Sequence, residues 1–438
     1  MLLIRWLFII ALLSVPTVWI GRGASRSDLD FVNPFTFGQP ASAVGFDESV
    51  VATGLGYAYG VAVADFDRDG MPDVAVSDSW IGGATPKGAR LLVRWGNQTE
   101  EVVADRQRYE QSRSREYGQY LLERILPVDV NGDGLLDIAG VVNSHGAVVA
   151  YINPGARGRR WPMQMLSRDA PGAVNLVASD IDGDGDEDLF VSTRLQGARD
   201  LKPRGGVVWL ENRQGRGLWH QRVINQTDFA DVRTLIAHDF DHDGRPDVMI
   251  SGFQSGKFGW LRNGDWSWHP LARIDARAAH YSHLITTTGN GGAVIALARR
   301  AGVSLLRQEG DRWTTQPVAD FVNLPFFKGV TSEVAPGDFD GDGLIDLAFT
   351  RWSTVLGEHG GVYWARNRGN GRWDVNLLKG DWGKAAGVTV ADVNRDGRPD
   401  IIAIGEYGAQ EIRLWTNLGP TAPPPPTSLA RFALTRTR

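Results

Sequence analysis

One nine-residue pattern, Asp-x-Asp/Asn-x-Asp-Gly-x-x-Asp, carries most of the chemistry this chain offers. It occurs as DFDRDGMPD from Asp65, DVNGDGLLD from Asp129, DIDGDGDED from Asp180, DFDHDGRPD from Asp239, DFDGDGLID from Asp338 and DVNRDGRPD from Asp392. Oxygen donors at positions one, three and five, a glycine at six for a sharp turn, and a carboxylate at nine set four side chains around one point. A hard dication is the natural occupant of such a ring. Without one, the carboxylates repel each other, so acid or a chelator should loosen the turns. An EF-hand would need Glu at position twelve, where this chain has Val76, Gly140, Val191, Ile250, Phe349 and Ala403.

The segments around each acidic turn show what positions it. A short apolar run such as GVAVA precedes the turn, and another such as VAVS, DLFVS or DIIAI follows, so two strands flank it. A third run ends in an aromatic residue and an Asn, as in AVVAYIN, GVVWLEN, KFGWLRN and IRLWTN, and a fourth often follows, as in RWDVNLL. Four strands per repeat make a propeller blade. Successive turns lie about 50 to 65 residues apart, except that Asp239 and Asp338 are separated by two periods. The stretch HLITTTGNGGAVIALARRAGVSLLRQEGDRWTTQPV fills that gap as a blade with Thr288, Asn290 and Gly292 in place of the acidic residues. The expectation is an all-β, seven-bladed propeller of four-stranded antiparallel blades. The last repeat supplies only three strands, so residues 46–55 (FDESVVATGL) should pair with strands near 387–416 and close the ring.

These repeats resemble the calcium-binding FG-GAP or VCBS repeats of integrin α-subunit N-terminal propellers and of many bacterial exported proteins, over residues 46–419. The resemblance implies about six structural Ca²⁺ ions. Their ligands would be Asp65, Asp67, Asp69 and Asp73; Asp129, Asn131, Asp133 and Asp137; Asp180, Asp182, Asp184 and Asp188; Asp239, Asp241, Asp243 and Asp247; Asp338, Asp340, Asp342 and Asp346; and Asp392, Asn394, Asp396 and Asp400. It also implies that partners bind the face opposite the calcium turns, and it speaks to architecture more than to activity.

Composition fits this reading. The chain has 438 residues, with 42% hydrophobic, 53 Gly and 16 Trp, and suits a globular protein rich in turns. Having no cysteine excludes disulfides, thiolate catalysis and cysteine-ligated metals. The ligand positions hold 22 of the 51 acidic residues, leaving 29 against 46 Lys and Arg, and six bound Ca²⁺ would move the formal charge from −5 to +7. A glycan or a cell-surface protein is the expected partner, and the charge of the calcium-loaded form points to an anionic one such as an acidic glycan or a phosphate-bearing surface. The basic residues are scattered and form no stripe for nucleic acid.

First strands run toward the acidic turns, so residues five or six before each first Asp should ring the central opening on the far face. Glu123, Arg124, Asn175, Arg233, His283 and Glu333 are the candidates, with Arg124, Asn175, Arg233, His283 and Glu333 as the ligand-binding set. Connections on that face add Trp80, Lys87, Arg199, Lys202, Arg204, Phe253, Lys257, Trp352, His359 and Tyr407. The repeated Trp209, Trp260, Trp364 and Trp415 hold a fixed place in the third strand, which argues for packing between blades. No Gly-x-Ser-x-Gly, Gly-Lys-Ser/Thr or His-Glu-x-x-His motif occurs, and His280 with His283 has helical spacing in what reads as a loop. The expected function is therefore an adhesion or ligand-binding module. The alternative is a polysaccharide lyase or hydrolase using His283, Glu333 and Arg233.

At the N-terminus, Arg5 precedes an apolar run from Trp6 to Ile20, so residues 1–23 read as a signal sequence or N-terminal membrane anchor and 24–45 as a linker. Export follows, to a secreted, periplasmic or membrane-anchored location. Residues 420–438 read as a Pro-rich extended tail.

Overall fold

The computed structural model describes residues 44–420 apart from 80–89, 97, 106–121, 144–145, 196–203, 214–218, 226–228, 230, 254, 272–280, 288–291, 322–328, 354–359, 383 and 407–408. Residues 1–43, which hold the expected signal or anchor segment and most of the expected linker, and residues 421–438 therefore lie outside the described residues. So do Trp80, Lys87, Arg199, Lys202, His280, Thr288, Asn290, His359 and Tyr407.

Among the described residues, seven antiparallel sheets of four strands occur and no α-helix. In blades 1 to 6 the strands pair in chain order. The first strands, Ala58–Ala64, Ile125–Val128, Asn175–Ser179, Val232–His238, His283–Thr287, Gly329–Gly337 and Ala385–Ala391, each neighbour the next, and the seventh neighbours the first. The ring is closed.

The core lies between blades. Seven apolar clusters occur, one for each adjacent pair, and each draws residues from both neighbours. Phe66, Val93 and Trp161 join blades 1 and 2, and Ile402, Ile412 and Val76 join blades 7 and 1. Second strands such as Asp73–Asp78 and Asp400–Gly405 are buried along their whole length because both sheet faces are covered. That explains their near-continuous apolar sequence. The fifth blade keeps its place because Ala296, Val303 and Leu305 still pack against blade 6, although its acidic residues are gone.

Closure comes from Val44–Ala52, which pairs antiparallel with Glu411–Pro420, placing Phe46 opposite Asn417 and Glu48 opposite Trp415. The strand begins two residues before the expected propeller boundary. Its partner runs through Pro420, opposite Val44, where a missing N–H at a strand end removes no interior ladder bond. The third-strand tryptophans are all buried, as packing requires. Their place is shared by only three: Trp209, Trp260 and Trp364 stand three residues before the Asn, whereas Trp415 stands two before and packs edge-on against Trp382 at 5.8 Å.

Candidate functional site

All six acidic turns have the same internal construction. The glycine at position six has φ between +80° and +95°, a conformation that side chains disfavour. Its N–H donates to the first Asp, for example Gly70 to Asp65 at 2.9 Å and Gly397 to Asp392 at 2.8 Å. The N–H at position seven donates to the fifth-position Asp, as Met71 does to Asp69 at 2.7 Å. The ninth Asp is the keystone. Its carboxylate accepts one bond from the second residue of the turn and one from the end of the third strand, as Asp346 does from Phe339 at 3.1 Å and from Asn367 at 2.6 Å.

Burial pushes these ninth-position carboxyls up, to about 6 for Asp73 and Asp247 and about 7 for Asp137, Asp188 and Asp346, while the amide donors pull the other way. Ligand oxygens lie within 4.8 Å of one another in Asp65, Asp67 and Asp73; in Asp180, Asp182 and Asp184; in Asp239, Asp241 and Asp247; and in Asp338, Asp340 and Asp346. The donors suit a hard cation. Asp65 Oδ1 and Asp241 Oδ1 are buried without a hydrogen-bond partner, as atoms reserved for an ion would be. In blades 2 and 7, Asn131 and Asn394 occupy position three, and each donates its amide to the fifth-position Asp, Asp133 and Asp396, at 2.9 Å.

The strand-ending Asn has a role the sequence did not suggest. Asn153 Nδ2 donates to Phe66 O of the preceding blade at 2.6 Å, Asn263 to Ile181 O at 2.8 Å, and Asn417 to Phe339 O at 2.8 Å. Each ties one turn to its neighbour. In the fifth blade, whose turn lacks the acidic residues, Gln308 makes the equivalent bond to Phe240 O at 2.7 Å.

At the other end of the first strands lies a cup of roughly 290 Å³, lined by Tyr59, Arg124, Arg233, Phe253, Tyr281, Trp352, Lys384 and Glu406 among others. Arg124 Nη1 lies 3.0 and 3.1 Å from the two oxygens of Glu333, and its Nη2 lies 3.0 Å from Oε2. Its guanidinium also lies over the Tyr281 ring at 3.8 Å. Glu333 further accepts a bond from Val388 N at 3.2 Å and faces His283 Nε2 at 3.2 Å. Burial works against the charge on Glu333, yet Arg124 and His283 hold its carboxyl below the usual range. Arg233 is fixed by Asp231 at 2.9 and 3.0 Å, and Lys384 by Glu406 at 2.8 Å, with Lys384 4.9 Å over Trp352. Burial pushes Glu123 up to about 7, with Arg233 and Arg194 opposing it.

The expected ring residues thus converge. Arg124, Glu333 and His283 meet, and Arg233 lines the cup. Asn175 is used within the fold, where its amide bonds Arg233 O at 2.9 Å. Of the connection residues, Phe253 and Trp352 line the cup, and Lys257 lies over Phe229 at 5.2 Å. Tyr59 and Ala386 were missed although the same rule, six residues before Asp65 and Asp392, points to both. Considering only polar residues hid them. Tyr281, Lys384 and Glu406 carry no repeat signal.

Comparison with known proteins agrees with this geometry. The FG-GAP-like repeat family matches residues 129–191 and 352–403, two stretches that contain acidic turns. The T-cell immunomodulatory protein of Rattus norvegicus is 26% identical over 303 residues, covering 63% of this chain and 48% of that protein. Cartilage acidic protein 1 of Xenopus tropicalis is 24% identical over 264 residues, covering 52% of this chain and 39% of that one. The chain spans about half or less of the length of these curated relatives. The crystal structure of BBS1N in complex with ARL6DN aligns with a TM-score of 0.50 at 13% identity, over 86% of this chain and 98% of that chain, a likeness of fold alone. Matched repeats, acidic turns and seven closed blades together make the chain a seven-bladed β-propeller that carries FG-GAP-like repeats at residues 129–191 and 352–403.

Proposed function

We propose that this chain is an exported, calcium-stabilised propeller that serves as an adhesion or ligand-binding module. Its ligand would be an anionic glycan or the surface of an acidic protein, taken at the cup and the rim around it. The observation that carries the reading is the cup itself. Arg124, Arg233 and Lys384 are each fixed by a carboxylate and stand among the rings of Tyr59, Tyr281 and Trp352. Fixed cations beside aromatic faces suit an acidic sugar, which offers a carboxylate or sulfate and an apolar ring face.

Calcium would sit in the acidic turns at the far end of six of the seven first strands, holding the hairpins without touching the ligand. The relatives named for T-cell immunomodulation and for cartilage accord with a binding role outside the cell. Glu333 is already engaged by Arg124, His283 and the Val388 amide. That arrangement favours binding over proton transfer, and the lyase or hydrolase alternative therefore ranks second.

Calorimetry with a panel of uronate and sulfated oligosaccharides tests the reading, using the wild type and Lys384→Gln. Binding that weakens at least tenfold in the variant supports it; the loss of one charge-assisted contact is worth about 1.5–3 kcal/mol. No binding to any acidic saccharide sinks the glycan as ligand, and binding indifferent to Lys384 sinks the cup as its site. Saccharide cleavage that disappears in Glu333→Gln and His283→Ala would instead establish the enzyme.

A further inference from the structure

One backbone position stands over each acidic turn. It is the residue just before the one whose N–H caps the ninth Asp, namely Trp95, Ile152, Glu211, Arg262, Arg366 and Thr416 in blades 1, 2, 3, 4, 6 and 7. In blade 4, Arg262 lies 2.6 Å from Asp241 and 3.6 Å from Asp243. In blade 6, Arg366 pairs with Asp340 and lies 3.8 Å from Asp342. Blade 1 reaches the same result by another route. Arg157, from the connection between the third and fourth strands of blade 2, lies 4.9 Å over the Trp95 ring, pairs with Asp67 and lies 2.8 Å from Asp69. Three turns therefore hold a guanidinium against their third and fifth ligands.

The turn of blade 3 is built the other way. All four of its ligands are aspartates, and among the described residues no Lys or Arg pairs with Asp180, Asp182, Asp184 or Asp188. The position over it is Glu211, which pairs with the half-exposed Arg213 and Arg222 at 2.8 and 2.7 Å. Glu211 is near enough to Asp182 for the two like charges to act on each other.

We propose that Arg157, Arg262 and Arg366 are internal counter-cations that weaken divalent-ion binding in their turns, so that blade 3, with Glu211 in their place, takes calcium first. The inference rests on the reading of the acidic turns as calcium sites. A fixed positive charge a few ångströms from a dication opposes it directly, and a negative one favours it. Asp241 Oδ1 remains buried and unbonded, so the arginine leaves an oxygen to the ion and lowers affinity without abolishing the site. The turn of blade 3 then fills before those of blades 1, 4 and 6 as calcium rises.

Native mass spectrometry of the full chain at stepped free calcium tests this, reading ions bound per chain. The first ion is expected to vanish in Asp182→Asn and to persist in Asp241→Asn. Arg262→Gln and Arg366→Gln should each tighten one later site by about tenfold, and Glu211→Gln should weaken the first by a similar factor. Arginine variants that bind calcium equally or more weakly would show that these residues orient the ligands, and would overturn the proposal. Equivalent filling of all the turns would overturn the order alone. No calcium binding in any variant would overturn the calcium reading beneath it.

Discussion

Arg124 of blade 2 and Glu333 of blade 6 meet across the central opening in a two-pronged ion pair, 209 residues apart in the chain. With His283 of blade 5 and the Val388 amide of blade 7 on the same carboxylate, four blades are tied at one point. The pair serves the ring and the cup together. It crosses the axis that the first strands line, and it presents the guanidinium to the cavity.

Removing one partner of this pair should cost far more than removing both. Glu333→Ala leaves the Arg124 guanidinium buried and uncompensated, a loss of about 3–5 kcal/mol in urea unfolding. Arg124→Met with Glu333→Leu should recover most of that, because two apolar side chains refill the space without an orphaned charge. Equal losses in the single and double variants would contradict this account. His283→Ala should change stability little, since its ring is 44% exposed and contributes the outermost contact.

The Asn staples give a graded series. Asn417 Nδ2 satisfies Phe339 O of blade 6 and Pro399 O of its own blade, at 2.8 and 3.1 Å. Asn367 Nδ2 reaches Ile345 O in its own blade, at 3.1 Å. Asn417→Ala should therefore destabilise by about 1–3 kcal/mol and Asn367→Ala by less, because a buried carbonyl left unpaired bears the desolvation cost. Hydrogen exchange should rise at the boundary of blades 6 and 7 in the first variant only. A reversed order would sink the staple.

The blade count, the acidic turns and the closing strand were legible in the sequence because each repeats at a fixed offset or is demanded by ring closure. The residues around the opening were legible for the same reason, since each stands at a fixed offset of five or six residues before its turn. Lys384 and Glu406 were not, because each occurs in a single blade and their pairing is set by where connections of unequal length bring the chain. The staple was visible as a recurring Asn, yet its partner, the carbonyl of Phe66, Ile181 or Phe339, belongs to the preceding blade, and no within-repeat pattern reveals it.

The ninth-position aspartates predict how calcium and pH act together. Asp73, Asp137, Asp188, Asp247 and Asp346 all titrate higher in the folded chain than the usual 3.8, at about 6 to 7, with burial the main cause. The folded state then binds more protons than the unfolded one, so this contribution to stability is complete below about pH 4 and falls as pH rises through 6 to 7. In chelator, the melting temperature should therefore drop between pH 5 and pH 7.5. Millimolar calcium should remove the drop, because the ion stabilises the ionised carboxylates that the bare turn disfavours. A melting temperature that rises over this range in chelator would show that the buried carboxyls do not control the turns.

Ring closure by Val44–Ala52 can be tested by taking the strand away. Phe46 packs edge-on against Phe339 and Trp364 at 6.1 and 6.0 Å, and Glu48 pairs with Lys379 at 2.9 Å and Arg413 at 2.5 Å, so the strand is held by its side chains as well as by its ladder. A chain starting at residue 53 would expose Glu411–Pro420 as a free edge ten residues long and would remove Val44 and Phe46 from one apolar cluster and Val51 and Ala52 from the next. Two such chains should pair edge to edge, giving dimers or larger species in sedimentation and a lower melting temperature. A synthetic peptide of residues 44–55 should restore the monomer, since it supplies the same hydrogen-bond ladder and Phe46. If the shortened chain stayed monomeric with an unchanged melting point, the closing strand would be an ornament of the seventh blade, and the ring would owe its stability to the contacts between first strands alone.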